Sequence, residues 1–164
     1  MAFASRPDLL ARSNARRLAQ LAVPADVDMV PDEALRAAIA GGNLAGYTPA
    51  AQSALALALE AIDKALADAD ALLLSYGIPA TVQSSLLARL ASTVALYYLQ
   101  GAERMTEDVR KAYDGVIDTL KAHSRGDLNL APAAITDPVL SDDMAMIESR
   151  PKRYGTYRPD EFGL

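Results

Sequence analysis

Cysteine is absent from this 164-residue chain, so disulfide staples, thiolate metal sites and a cysteine nucleophile are excluded at the outset. Histidine occurs once, at His123, which is too little for a His-rich metal centre. Tryptophan is missing and phenylalanine appears only twice, so the core must be built from smaller apolar residues. Nowhere do Val, Ile, Thr and aromatics alternate over the length of a strand, and a large sheet is not expected. No apolar run nears the roughly 18–20 residues that span a bilayer. The opening Met1-Ala2-Phe3-Ala4-Ser5-Arg6-Pro7 lacks the basic-then-apolar order of a secretion signal, so we expect a soluble chain made inside a cell. A basic excess is lacking too: the formal net charge is −5, and residues 51–130 hold ten acids against seven bases. Tight holding of DNA through its phosphates is therefore not expected, although a surface that DNA merely passes is not excluded.

What the chain does have is alanine and leucine at helical spacing, and the expected fold is all-α. A first helix is expected from Ser5–Pro7 to Val23-Pro24, with Leu9, Leu10, Leu18 and Leu21 on its apolar side. Arg12, Arg16 and Arg17 lie between them and read as a solvated face, because no neighbouring basic cluster extends them. A short helix follows Val30-Pro31-Asp32-Glu33 and ends at Gly41-Gly42-Asn43, which reads as a helix cap, since no strand precedes it as in a phosphate loop.

Three long helices come next, over about 48–75, 80–100 and 106–125. Thr48-Pro49 starts the first, whose Leu55, Leu59, Ile62, Leu66, Ala69 and Leu73 form a narrow apolar seam. Its acids Asp63, Asp68 and Asp70 share no face at i+3 or i+4 spacing, and are read as solvated or subunit-contacting. Tyr76, Gly77 and Pro79 make the turn that sends the chain back. The next helix carries Val82, Leu86, Leu87, Leu90, Val94, Tyr97 and Tyr98, apolar around much of its circumference, as a most-buried helix should be. Tyr97-Tyr98 fits a core edge better than a base-stacking platform. Thr106 caps the third helix, Val109, Tyr113, Val116, Ile117 and Leu120 form its inner face, and Gly126 closes it. His123 has neither a nucleophile nor an orienting acid suggested near it, so no catalytic, cofactor or metal site is expected.

From Ala131 the pattern stops, and Pro132, Pro138, Pro151 and Pro159 forbid a long helix. The division expected is a helical unit over 1–130 and an extended docking tail over 131–164. In that tail Arg150, Lys152, Arg153, Tyr154, Tyr157, Arg158, Phe162 and Leu164 are the expected partner-binding residues, since Arg and aromatics concentrate binding energy at interfaces. A small helical hub with such a tail reads as part of an assembly.

The order of Ile62-Asp63, Tyr76-Gly77-Ile78-Pro79, Leu96-Tyr97-Tyr98-Leu99, Arg110-Lys111-Ala112-Tyr113 and Gly126-Asp127-Leu128-Asn129-Leu130 resembles the Mu-like head–tail connector (adaptor) proteins of tailed bacteriophages. The likeness covers roughly residues 55–130, with an echo in Pro7-Asp8-Leu9-Leu10 and in Arg153-Tyr154 and Phe162. The segment Ala25–Tyr47 departs from it in being longer and richer in Gly and Ala. The resemblance implies a virion structural protein of the neck, made in the host cytoplasm, with no membrane partner. It also implies a dodecameric ring under the portal protein, extending the DNA channel and docking a stopper or tail component. Genome DNA would pass through without sequence-specific binding. The alternative is a cellular helical interaction module whose tail folds on binding its partner.

Overall fold

The computed structural model describes residues 3–101 and 104–131. All elements among them are helices: α1 (Arg6–Arg12), α2 (Ala15–Ala22), α3 (Asp32–Ile39), α4 (Pro49–Ser75), α5 (Ser85–Gln100) and α6 (Glu107–Ser124). The all-α expectation holds, with three short helices before the long ones where one or two were expected.

The extra helix comes from a break inside the expected first one. Ser5 caps α1 in a capping box, its backbone N–H donating to Asp8 Oδ2 at 2.8 Å while its hydroxyl faces the Asp8 N–H. At Ser13 the backbone turns extended, and Asn14 Oδ1 then accepts the Arg17 N–H at 2.7 Å. Asn14 thus begins a new helix, because an Asn that can satisfy orphan N–H groups competes well with continuing the old one. Further on, α3 ends as expected at Gly41, whose φ of 71° lets Gly42 donate back to the Ala37 carbonyl at 2.8 Å.

Helix α4 is 27 residues long, about 40 Å at 1.5 Å per residue. Thr48 Oγ1 caps it by accepting the Ala51 N–H, and Gln52 Nε2 pins the preceding loop through the Leu44 and Tyr47 carbonyls. Its buried face holds Leu55, Ile62, Leu66, Ala69 and Leu73 of the expected seam, plus a row of small residues, Ala54, Ala58 and Ala65. Leu59 is only half-buried. Alanines without bulk let neighbouring helices approach closely, and α4 packs most extensively on α5 and also on α2 and α3.

The turn after α4 is longer than expected. Gly77, at φ 84°, ends the helix and lets Ile78 donate to the Leu73 carbonyl, burying the Ile78 side chain. A second turn, closed by the Val82 N–H on the Pro79 carbonyl, delays α5 until Ser84 caps it through the Leu87 N–H. The helix expected from residue 80 therefore starts at Ser85, and Leu86 falls on the outside at 39% exposure. Within α5, Leu87, Leu90, Ala91, Val94 and Ala95 are buried against α4, α6, α1 and α2. The buried Ser92 hydroxyl is satisfied by the Ala88 carbonyl at 2.7 Å.

Helix α6 begins and ends where the sequence predicts, capped by Thr106 and terminated by Gly126 at φ 82°. Lys111 pairs with Glu107 one turn before it, at 3.0 Å, and Val116 and Leu120 are its buried residues. The chain then seals the base of the helix with Leu130, which is buried, while Leu128 is exposed.

Candidate interaction surface

The residues expected to bind partners, Arg150, Lys152, Arg153, Tyr154, Tyr157, Arg158, Phe162 and Leu164, lie outside the described residues. Of the turn residues, Tyr76 packs half-buried on the core, Gly77 supplies the left-handed backbone and Pro79 is exposed.

The tyrosines of α5 and α6 gather into one cluster. Tyr97 stacks on Tyr113 with ring centroids 3.9 Å apart and planes 14° from parallel, and Tyr98 meets Tyr97 edge-on at 5.9 Å. Burial, then a hydrogen bond that the Tyr113 hydroxyl makes to its neighbour Tyr98, pushes the Tyr113 phenol up to about 12. The Tyr97 ring face is thus taken by Tyr113, as expected of a core edge.

The acids of α4 are placed differently from the sequence reading. Asp63 accepts a two-pronged bond from the Arg6 guanidinium, and Asp70 Oδ1 accepts the Phe3 N–H at 2.9 Å. Seven residues is two helical turns, so both carboxylates face the same way and hold the N-terminal segment, with Phe3 and Ala4 buried beneath it. Arg6 holds the Asp63 carboxyl below its usual range, whereas burial raises that of Asp70. Asp68, like Glu60, is exposed without a partner among the described residues.

The arginines show the largest gain over the sequence. Arg12 and Arg17, read as an isolated solvated face, are joined in space by Arg89 from α5 and Arg104 from the α5–α6 connection. Four surface grooves run into one another through shared walls. Arg12 and Arg89 line one, Arg12 and Arg17 the next, Arg17 and Arg104 a third of about 400 Å³, and Arg104 the last. Gln100, only 5% exposed, ties the belt together. With its amide oxygen turned toward Arg17 it accepts from Nη2 at 2.9 Å, and its nitrogen donates to the Arg104 carbonyl at 3.1 Å. The Arg104 guanidinium reaches back to the Gln20 carbonyl at the end of α2.

No carboxylate lines these grooves among the described residues, and none of the four arginines is ion-paired there. In an acidic chain that separation is a local field of opposite sign. Beside the belt lies its counterpart, a cleft of about 600 Å³ lined by Asp26, Asp28, Met29, Tyr47 and Thr48 among others, with no base in its wall. Met29, 58% exposed, borders both the cleft and the Arg17–Arg104 groove.

Sequence spacing pointed to neither surface, because Arg17 and Arg104 are 87 positions apart. The one local signal was the Asp26-Val27-Asp28-Met29 run, whose exposed methionine sits among acids. Among the described residues no group of three or more His, Asp or Glu could hold a metal ion, and no helix is long and apolar enough to cross a membrane.

No curated protein matches the chain. The sequence model of the Bacteriophage Mu, Gp36 family matches residues 3–148, which takes in every helix described above and most of the chain beyond them. By that match the chain belongs to the Bacteriophage Mu, Gp36 family and is a phage protein.

Proposed function

We propose that the chain is a structural head–tail connector of a tailed phage, a virion component of the neck that sits under the portal protein as a subunit of a ring, dodecameric by the resemblance. The observation that carries this reading is family membership across residues 3–148. The fold is compatible with it: a rigid hub built on α4 and α5 presents charged surfaces and needs no chemistry to do so. An acidic subunit suits a channel wall, since weak repulsion of phosphates lets DNA slide without being trapped. In this reading the ring docks a stopper or tail component on its far side.

The segment 131–164 supplies the attachment. Tyr154, Tyr157 and Phe162 fill apolar pockets of the portal, and Arg150, Lys152, Arg153 and Arg158 meet its acids. Deleting residues 149–164 should leave the melting temperature of the hub within a few degrees of the intact chain while abolishing co-sedimentation with portal-bearing capsids. Normal decoration of filled capsids by the truncated chain would remove the tail from this role.

A further inference from the structure

We propose that the acidic cleft and the arginine groove that meet at Met29 form one self-complementary face, on which a second copy of this chain docks about a two-fold axis. Asp26 and Asp28 line the cleft that Met29 borders, and Arg17 and Arg104 line the groove that it also borders. These opposite charges lie on adjoining surfaces, yet among the described residues they form no ion pair within the subunit. A two-fold axis passing near Met29 sets each cleft against the groove of the other copy, because an isologous contact places patch i on j and j on i. Both charge pairs are then made twice, and the two exposed Met29 side chains cover each other at the centre.

The same geometry fixes the character of the pair. Exposed ion pairs contribute little each and are screened by salt, so the dimer is weak and salt-sensitive. It is also closed at two copies, so it is a state of the free chain and a different contact from the one that joins subunits in the proposed ring. The pairing does not depend on the connector reading and can be measured without any phage component.

Sedimentation velocity of the full chain over a concentration series, at about 50 mM and about 500 mM salt, tests it. Expected is a concentration-dependent monomer–dimer equilibrium at low salt that shifts to monomer at high salt. D26K/D28K should weaken association at least about tenfold, as should R17E/R104E. Mixing these two variants should restore a one-to-one dimer, because reversed cleft meets reversed groove at one contact and unaltered groove meets unaltered cleft at the other. Arg17 and Arg104 hold Gln100 and Gln20, so R17E/R104E also removes two hydrogen bonds within the fold; D26K/D28K and M29D alter exposed side chains with no hydrogen bonds among the described residues. If the arginine variant fails to fold, dimer loss in both of those variants supports the face, and dimerisation persisting in both overturns it. A chain that stays monomeric at low salt, a mixture no better than its components, or growth past the dimer would each overturn the proposal.

Discussion

The guanidinium of Arg6 and the carboxylate of Asp63 form a two-pronged ion pair, Nε to Oδ1 2.7 Å, which fastens α1 to the middle of α4. One turn-pair further along α4, Asp70 takes the Phe3 N–H, so two carboxylates of one helix hold the start of the chain.

The two clamps should respond oppositely to loss of charge. Both partners of the Arg6–Asp63 pair are partly exposed, at 35% and 49%, so solvent screening limits D63N to a loss of about 0.5–1 kcal/mol at pH 7. Asp63 titrates below its usual 3.8 in the fold, so its contribution is present above that value and disappears as pH falls through the lower folded value. Urea unfolding of D63N and the parent chain should therefore differ at pH 7 and converge as pH falls below 3.8. Asp70 is raised by burial, so its charged form opposes folding as pH rises through the raised value. D70N keeps an oxygen for the Phe3 N–H and should be neutral or slightly stabilising at pH 7.

Leu90 and Leu86 lie one turn apart on α5 and should behave differently. Leu90 is 5% exposed and Leu86 39%. L90A should cost about 2–5 kcal/mol and L86A about 0.5 kcal/mol or less. Thermal melts of the two variants read this directly, and an unchanged melting temperature for L90A would mean the core is elsewhere.

At Gly77 the cost of a side chain is one of backbone alone. A Cβ there meets nothing within 4 Å, but φ is 84°. G77A should destabilise by about 1–2 kcal/mol, and G77N by less, since Asn tolerates the left-handed region. Equal melting temperatures for G77A and the parent chain would show that the turn relaxes into another conformation.

Tyr113 should be among the last tyrosines to ionise. Its phenol is pushed up to about 12 from the ordinary 10.0, so the stability it contributes is intact below about 10 and lost as pH rises through about 12. Ultraviolet titration of Y113F should lack the most alkaline phenolate step of the folded parent chain.

Much of the fold was legible in local chemistry. Thr48, Thr106, Gly41, Gly77 and Gly126 act as the caps their residue types foretell, because capping depends on a few neighbouring atoms. The break at Ser13-Asn14 was missed because apolar spacing runs smoothly through it, although Asn was there to start a helix. The late start of α5 was missed because Val82 continues the apolar pattern from within a turn. The Asp63–Asp70 clamp escaped a search at three and four residues, since two full turns also return to one face. The arginine belt was illegible in principle, because its members come together only when α2 packs beside the end of α5.

Cryo-electron microscopy of purified, filled particles tests the connector assignment most directly. The account predicts a ring of this helical hub at a single vertex, directly beneath the portal and coaxial with the DNA channel. Particles that lack the chain, or that carry it over the capsid surface or at the tail tip, would contradict it.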